Sequence, residues 1–301
     1  MVVQPEHEEE MVLDQQKSAF ALLIFGELGK SASISLQSIV QTSKLRICVA
    51  GDSAGLNWAF RQLPKSEQHR LCSHTLPIKD LEALDIDNSQ NHSYSHFGQE
   101  RFIKLTTFKW YLLHSVLTQH EHLNIVIFSD LDVLWLGPPT QELDDYSVRD
   151  LLALVQDDTP FGVTYKHFCT GIMFWFNTAE SILALAELYD LQFSQNKTCE
   201  LIPDEPIFNR WYESRNQVNA ISALPTESFV IGHKFFKCMI SNLQTIHDAT
   251  AFHANYVVGE KAKYRRLRAI ELRNIGNNSW SLLVLVEFAR LLYSQLFRQS
   301  R

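Results

Sequence analysis

Residues 124–132 read NIVIFSDLD, and this stretch decides the fold. It begins with a continuous apolar run, which is typical of a central strand covered on both faces. The run ends abruptly at Ser129, and the carboxylates of Asp130 and Asp132 follow. Ligands of open α/β sheets bind in the crevice beyond the carboxyl ends of the strands. The stretch therefore predicts an α/β protein whose functional site follows this strand.

The spacing of the two aspartates predicts a metal site. Because strand geometry has a period of two, we expect Asp130 and Asp132 to face the same side while Leu131 faces the core. Two carboxylates form a hard-oxygen site for Mg²⁺ or Mn²⁺, and such an ion can bridge to phosphate oxygens. A second pair, Asp85-Ile86-Asp87, lies in a polar stretch with no buried strand before it, and we interpret it as solvated surface.

Short apolar runs alternate with helical patterns along most of the chain, as expected for an α/β layered fold. Strands are predicted at Phe20–Phe25, Leu45–Ala50, Asn124–Phe128, Val133–Leu136, Leu151–Val155, Gly171–Phe176 and Val218–Ala223, and helices at 34–42, 56–63, 99–120, 178–191, 203–214, 259–270 and 280–298. The chain shows no internal repeat and no convincing linker. We predict a polar tail over 1–18, one domain over 19–275 and an amphipathic C-terminal helix over 276–301.

Composition restricts the class of protein. Of the 301 residues, 46% are hydrophobic, and this content excludes a disordered chain. The net charge of −7 disfavours a protein that binds nucleic acid through its phosphates. The five cysteines are scattered without a C-x-x-C pair, and we expect buried free thiols in a reducing compartment. No targeting segment stands out, so a cytoplasmic location is expected, with membrane contact only peripherally, through the C-terminal helix.

Residues 102–139, FIKLTTFKWYLLHSVLTQHEHLNIVIFSDLDVLWLGPP, resemble the core of the nucleotide-diphospho-sugar transferases. The likeness is strongest to glycosyltransferase family 77, whose retaining enzymes have the GT-A fold, a Rossmann-like mixed sheet flanked by helices. Three more segments follow in the family's order, and the likeness covers residues 20 to 270. These segments are CTGIMFWFNT (169–178), DEPIFN (204–209) and FHANYVVGEKAK (252–263).

The resemblance implies a divalent cation, Mn²⁺ or Mg²⁺, bound to the diphosphate of a nucleotide-sugar donor. Asp132 would be the firmest metal ligand, Asp130 would contact metal or ribose, and His253 would complete the protein's share of the ligands. Mixed imidazole and carboxylate ligands suit Mn²⁺. Lys261, or alternatively Lys263, would stabilise the departing diphosphate.

Further positions would line the donor pocket by the same resemblance. Gly259 would let the backbone approach the phosphates, and Lys109 would face the nucleotide. Thr170 and Gly171 match a segment that lines the sugar pocket. Taken alone, Lys109 would be interpreted as a surface lysine and Gly171 as the start of a strand. Gln156 and Asp157 end another predicted strand and are weaker candidates for substrate contact.

Asp204 and Glu205 are the predicted catalytic pair. By resemblance, Asp204 would bind sugar hydroxyls, and Glu205 would lie near the anomeric carbon, opposite the leaving group. A covalent glycosyl-enzyme through Glu205 and a front-side mechanism with an oxocarbenium-like transition state both stay open. The alternative explanation is that the two carboxylates, just after Pro203, merely favour a helix N-terminus.

The predicted function is that of a retaining glycosyltransferase moving a sugar to a saccharide, glycan or other hydroxyl acceptor. One alternative is an inactive GT-A module that binds nucleotide-sugar without turnover. Another is a haloacid-dehalogenase-like phosphatase, which needs its aspartates near the N-terminus and usually Thr or Val where this chain has Leu134. The sugar, the nucleotide base, the acceptor and the oligomeric state are not readable from the sequence.

Overall fold

The computed structural model describes residues 17–86, 99–139, 151–160, 162–198, 201–215, 220–237, 249–255 and 259–275. Within this part of the chain the strands are β1 (Ser18–Ile24), β2 (Arg46–Gly51), β3 (Leu71–His74), β4 (Ile125–Ser129), β5 (Val133–Trp135), β6 (Ala153–Asp157), β7 (Phe168–Phe176), β8 (Ile221–Leu224), β9 (Phe229–Ile231) and β10 (Ala251–His253). The helices are α1 (Lys30–Thr42), α2 (Ser53–Gln62), α3 (Ile78–Ala83), α4 (Glu100–Thr106), α5 (Phe108–Gln119), α6 (Ala179–Lys197), α7 (Asp204–Ser214), α8 (Gly232–Lys237) and α9 (Glu260–Ile275).

A seven-stranded mixed sheet forms the centre, in the order β3-β2-β1-β4-β7-β6-β8. The first four strands of that order are parallel, β7 is antiparallel to both its neighbours, and β6 and β8 are parallel. Every residue of β4 and β7 is buried, as the continuous apolar runs predict. Helix α5 packs against one face of this sheet and α1 against the other. The predicted α/β fold with a mixed, helix-flanked sheet is confirmed.

A smaller sheet, β5-β10-β9, places the predicted site. The chain leaves β4 after Ser129 and enters β5 at Val133, so Asp130 and Asp132 lie on the short crossing between the two sheets. Antiparallel pairing of β10 with β5 sets His253 opposite Val133, next to Asp132. The pairing of β10 with β5 therefore brings His253 next to Asp132, although the two residues are far apart in the chain.

The structure corrects the predicted conformation of this crossing. Residues 131 and 132 form a turn, and the Val133 amide donates to the Asp130 carbonyl oxygen at 3.3 Å, so the strand period does not extend through the D-x-D. Leu131 is only half-buried and reaches the cavity described below. Both carboxylates nevertheless face that cavity, because the turn and not the pleat directs them.

Several predicted elements differ from those observed. The helix predicted over 99–120 divides at Thr107 into α4 and α5, and the Thr107 hydroxyl accepts a hydrogen bond from the Asn196 side chain at 2.9 Å. Strands β3, β9 and β10 and helices α3 and α8 were not predicted, because three to six residues are too few to show a period. The polar tail, apart from Lys17 and Ser18, and the predicted C-terminal helix lie outside the described residues.

Two other expectations concern membranes and cysteines. Among the described residues, no helix combines the length and the apolar character needed to cross a bilayer. Cys48, Cys72 and Cys169 are free thiols, and Cys48 and Cys169 are buried. Asp85, the described member of the second D-x-D, is exposed, as predicted.

Candidate active site

A cavity of about 410 Å³ opens beyond the carboxyl ends of β1 and β4, walled by α4, α7, β10 and α9. Its lining includes most of the predicted site residues: Lys109, Asp130, Asp132, Thr170, Gly171, Asp204, Glu205, His253 and Lys263. Gly259 and Lys261 are not part of that lining, and Lys261 is exposed. The sequence motifs thus converge on one crevice, with α9 presenting Lys263 where the first preference was Lys261.

Asp130, Asp132 and His253 form a compact cluster in this cavity. One potential ligand atom from each lies within 4.8 Å of the others. The His253 Nε2 atom is 3.2 Å from Asp132 Oδ1. Two carboxylates and an imidazole form a donor set that suits Mn²⁺ or Mg²⁺, with Mn²⁺ favoured by the nitrogen ligand. The residues present therefore fit a divalent cation.

Gln156 orients the imidazole of His253. The Gln156 Nε2 group donates to the Phe229 carbonyl oxygen at 3.3 Å, which turns the amide oxygen towards His253 Nδ1 at 2.8 Å. This contact turns Nε2 towards the aspartates, where it can donate to Asp132 when the imidazole is charged or bind a metal ion when the imidazole is neutral. Such a partner fixes the tautomer and direction of a metal-binding histidine. Sequence reasoning had considered Gln156 only as a substrate contact.

Gly171 makes room for that same imidazole. A Cβ atom at this position would lie 2.1 Å from His253 Cε1, far inside van der Waals contact. The Gly171 carbonyl oxygen also accepts from the Asp130 amide at 2.8 Å. The glycine lies within β7 rather than at its start, and it allows His253 to pack against the strand beside Asp130.

Lys263 pairs with the second carboxylate of the motif. Its Nζ atom is 2.6 Å from Asp132 Oδ2. Burial alone would raise the pKa of Asp132, but Lys263 and His253 outweigh burial and hold the pKa well below its usual range. Asp132 is therefore ionised at any physiological pH, as a metal ligand must be.

Glu260 anchors the helix that carries Lys263. Its carboxylate accepts hydrogen bonds from the Ser31 amide, at 2.7 Å, and from the Ser31 hydroxyl, at the first turn of α1. The preceding residue, Gly259, has φ +96°, a conformation that glycine adopts without strain. The glycine turn and the Glu260 anchor together direct α9 towards the cavity.

Lys109 lies at the centre of a buried ionic network. Its Nζ atom bonds to the Asp204 carboxylate, lies 3.5 Å from Asp130 Oδ1 and donates to the Thr170 carbonyl oxygen at 3.0 Å. The Thr170 hydroxyl donates to Asp204 at 2.5 Å. Burial alone would lower the pKa of Lys109, but the carboxylates of Asp130 and Asp204 outweigh it and raise the pKa. Lys109 is therefore a permanent buried cation and not a surface lysine.

Asp204 and Glu205 begin α7, with Pro203 at the N-cap. Asp204 and Glu205 therefore both start a helix and line the cavity, so the two explanations are compatible. Glu205 Oε1 lies 3.1 Å from His167 Nε2. Burial raises the pKa of Glu205 above its ordinary value, although the hydrogen bond with His167 opposes this shift.

Two lining residues were missed as candidates by sequence reasoning. The side-chain oxygen and nitrogen of Asn255 are buried, line the cavity and have no hydrogen-bond partner among the described residues. Arg101 lines the cavity from α4. Asn255 follows His253 by two residues in the quoted segment, and this spacing was the signal that could have identified it.

Comparisons with known proteins agree with this architecture. The family profile of the nucleotide-diphospho-sugar transferases matches residues 66–267. A search of proteins with curated functions finds no significant match. Similar solved structures include galactosyltransferase LgtC in complex with donor and acceptor sugar analogues, at 10% identity and TM-score 0.52, covering 83% of this chain and 94% of LgtC.

Two other solved structures are similar over most of this chain. The glycosyltransferase GlyE of Streptococcus pneumoniae TIGR4 is 15% identical, with TM-score 0.51, and the match covers 91% of this chain and 64% of the GlyE chain. The bifunctional glycosyltransferase WbbM is 13% identical, with TM-score 0.52, and the match covers 90% of this chain and 52% of the WbbM chain. At these identities the likeness shows the fold. With the family profile matching more than half of its length, the chain belongs to the nucleotide-diphospho-sugar transferase family and has the GT-A fold.

Proposed function

We propose that this protein is a retaining, metal-assisted glycosyltransferase. It moves a sugar, hexose or pentose, from a nucleotide-diphosphate donor to a hydroxyl group of an acceptor such as a saccharide or glycan. The observation that carries the proposal is the cluster of Asp130, Asp132 and His253 within one cavity beyond the central strand. Family membership supports the donor class, and this chain's own side chains supply the remaining argument.

Asp130, Asp132 and His253 would hold Mn²⁺ or Mg²⁺. When bound, the ion supplies positive charge that offsets the charge developing on the leaving diphosphate. Lys263 adds a positive charge beside Asp132, and the amide of Asn255, which has no partner within the described part of the chain, is available to phosphate or ribose oxygens. The placement of Lys263 makes it a better candidate for diphosphate binding than Lys261.

In the transfer itself, the bond between the anomeric carbon and the diphosphate oxygen breaks, and the electron pair leaves with the diphosphate. The acceptor oxygen bonds to the anomeric carbon, and its proton passes to a base. In the front-side mechanism that base is an oxygen of the departing diphosphate. In the covalent mechanism ionised Glu205 first bonds to the anomeric carbon as the diphosphate leaves. The acceptor oxygen then displaces the Glu205 carboxylate, and its proton passes to an oxygen of the bound diphosphate.

Asp204 and Lys109 have a positioning role in either mechanism. The network with Thr170 fixes the Asp204 carboxylate at the start of α7, next to Glu205. Asp204 also keeps an edge on the cavity, where it can accept a hydrogen bond from a sugar hydroxyl. Because Lys109 is buried behind this carboxylate, we assign it to orienting Asp204 and balancing charge, rather than to direct nucleotide contact.

Thermal stabilisation by a panel of nucleotide-sugars, with and without Mn²⁺, tests the proposal. Wild-type protein is expected to show a metal-dependent rise in Tm with at least one nucleotide, and Asp132→Asn is expected to lose it. Asp85→Asn is the matched control, because it makes the same change at an exposed site in the second D-x-D. If no nucleotide gives a metal-dependent shift in the wild type, the proposal is wrong.

The anomeric configuration of the product tests retention. Incubation of the stabilising donor with acceptor sugars, followed by nuclear magnetic resonance of the product, is expected to show the donor's configuration preserved. An inverted product would contradict the retaining mechanism while leaving the donor site intact.

One observation favours the inactive nucleotide-binding module as second candidate. The Lys263 ammonium group already neutralises Asp132 and can meet a diphosphate without a metal ion. A metal-independent stabilisation by nucleotide-sugars, with neither donor hydrolysis nor transfer, would favour that module. The GT-A fold and the family match leave the phosphatase alternative without support.

A further inference from the structure

A second cluster of metal-binding side chains lies at the edge of the central sheet. It comprises Cys48 on β2, Cys72 and His74 on β3, and His120 directly after α5. Cys48 and Cys72 are paired in the register of the two parallel strands. Because alternate residues of a strand share a face, Cys72 and His74 both point to the side of the sheet covered by α5. Apart from Cys72 and His74, which are two residues apart, the sequence separates these residues widely, and no spacing motif indicates the cluster.

The distances fit a tetrahedral centre. One ligand atom from each of the four residues lies within 4.8 Å of the others. Cys72 Sγ is 4.0 Å from His74 Nε2 and 3.8 Å from His120 Nε2. Zinc bonds of about 2.3 Å to sulfur and about 2.0 Å to nitrogen place tetrahedral ligand atoms about 3.3–3.8 Å apart. Small side-chain rotations would therefore close the cluster around an ion.

Hydrogen bonds around the cluster direct the imidazoles inwards. His74 Nδ1 lies 3.1 Å from the Ser115 hydroxyl oxygen, which also accepts from Gln119 Nε2 at 2.9 Å. This contact on Nδ1 leaves His74 Nε2 facing the sulfur of Cys72. A fixed contact on the outer nitrogen is the usual arrangement behind a metal-binding histidine.

The charges near the cluster also bear on its chemistry. Arg46 Nη1 approaches His120 Nδ1 at 3.5 Å, and the His122 ring contacts the His120 ring. Both Arg46 and His122 are exposed, so either side chain can turn to solvent. Burial lowers the pKa of His74 to about 4, so its imidazole is neutral. Burial raises the pKa of the Cys48 thiol to about 12, which makes it a poor nucleophile in the absence of a metal.

We propose that Cys48, Cys72, His74 and His120 bind a structural Zn²⁺ ion. Two thiolates and two imidazoles form a closed set of four protein ligands, typical of structural rather than catalytic zinc. Binding releases the two thiol protons to solvent, and the two thiolate charges balance the ion. The ion joins the short edge strand β3 to β2 and to the end of α5.

This zinc site is separate from the proposed sugar-transfer site. Lys109 marks the cavity end of α5, and His120 lies eleven residues later, which is about 16 Å along a helix. None of the four ligands lines the cavity. The ion is therefore inferred to stabilise the sheet edge and to take no part in transfer.

Co²⁺ substitution tests the inference on the full chain. The protein is reduced with a phosphine, freed of metal with a chelator and titrated with Co²⁺ in the Asp132→Asn background, which disables the cavity cluster. A thiolate-to-cobalt charge-transfer band and the visible bands of tetrahedral Co²⁺ are expected, saturating at one ion per chain and bleaching when Zn²⁺ is added. Absence of a thiolate band in the reduced, folded protein would overturn the inference.

Matched variants identify the ligands. His120→Ala, on the rim of the cluster, is expected to lose the tetrahedral spectrum, while His122→Ala keeps it. Ser115→Ala should weaken Zn²⁺ affinity by about 10–100-fold, as expected when a histidine loses its orienting partner. An unchanged spectrum in both His120→Ala and Cys72→Ala would refute the assignment, and so would an intact mass showing a Cys48–Cys72 disulfide with no metal uptake. Circular dichroism confirms that each variant is folded.

Discussion

The two clusters of this protein occupy opposite ends of α5 and differ in almost every physical property. The Asp130, Asp132 and His253 cluster is dominated by oxygen, opens onto a 410 Å³ cavity and is surrounded by cations and an unpaired amide. The Cys48, Cys72, His74 and His120 cluster offers sulfur and nitrogen and lines no part of that cavity. An open oxygen site can exchange ligands with a substrate, whereas a closed sulfur site can only hold its ion.

The two clusters also differ in the charge of their side chains before a metal ion binds. The oxygen cluster is balanced by Lys109 and Lys263, which remain beside the carboxylates in the described structure. No ion pair involves the sulfur cluster among the described residues, and burial raises the pKa of the Cys48 thiol and lowers that of the His74 imidazole, so these two groups are neutral until a metal binds. The first site is therefore pre-organised by charge, and the second depends on its ion.

The largest effect is expected from removing the buried cation of the oxygen cluster. Lys109→Met leaves the buried carboxylate of Asp204, and the partly exposed carboxylate of Asp130, without their cation, which should lower the free energy of unfolding by about 3–5 kcal/mol. Urea denaturation measures this loss. Lys104→Met is the control, since its helical pair with the exposed Glu100 is worth about 0.3–0.5 kcal/mol. Equal losses in the two variants would contradict pre-organisation by Lys109.

The next effect concerns the sulfur cluster, where the ion itself should carry stability. If Zn²⁺ is present at a free concentration of about 100 times its Kd, chelation should lower the free energy of unfolding by about 2.7 kcal/mol. Thermal denaturation with and without a zinc chelator measures the change. The His120→Ala variant should show no response to the chelator. A chelator response of the same size in that variant would contradict the contrast between the two sites.

A smaller effect is expected on Mn²⁺ affinity when His253 is displaced by a substitution at the neighbouring Gly171. Gly171→Ala drives a methyl group into His253 and should weaken Mn²⁺ binding by about 10–100-fold, the range seen when the support of a ligand is lost. Calorimetry or electron paramagnetic resonance measures the affinity. Gly137→Ala is the matched control, because the nearest atom to its new Cβ lies 3.9 Å away. Unaltered Mn²⁺ affinity in Gly171→Ala would show that His253 is not a metal ligand.

The smallest effect is a pH dependence at Glu205. Because burial raises the pKa of Glu205 in the folded protein, its stabilising contribution is present at low pH and is lost as pH rises through the raised pKa. Glu205→Gln should therefore flatten this part of the stability profile and be slightly more stable than wild type at neutral pH. Thermal denaturation across pH 4–8 measures it. A variant less stable at neutral pH would show that the ionised carboxylate is the stabilising form.

The same substitution separates the two transfer mechanisms. Loss of all turnover in Glu205→Gln, with donor binding preserved, is the result expected for a covalent intermediate. Turnover that survives in part favours the front-side mechanism, in which the diphosphate oxygen takes the proton.

Much of the fold could be predicted because its longest elements carry strong local signals. The apolar run of β4 and the break after Ser129 placed the central strand and the site beside it. Local patterns could not reveal β3, β9 or β10, because a strand of three or four residues is specified by its pairing partners. The long helix divides at Thr107, whose hydroxyl accepts a hydrogen bond from the distant Asn196, and no local pattern contains that contact.

The candidate site divides along the same line. Asp130, Asp132 and His253 were predicted from motifs, but the role of Gly171 beside His253 depends on the pairing of β10 with β5. The sequence could not show which of Lys261 and Lys263 lies beside Asp132, because two lysines on one helical turn differ only in direction. Gln156 became a candidate through its hydrogen bond to His253, and Asn255 through a buried amide that has no partner among the described residues.

By itself, the sequence determined the α/β class, the family and the carboxylates at the end of the central strand, because these depend on runs and motifs within short stretches of chain. Only the tertiary structure decided which lysine meets Asp132, why residue 171 is glycine, and that two cysteines and two histidines from β2, β3 and α5 converge. The physical reason is that strand register and helix packing set distances between residues far apart in the chain, and no local pattern encodes those distances.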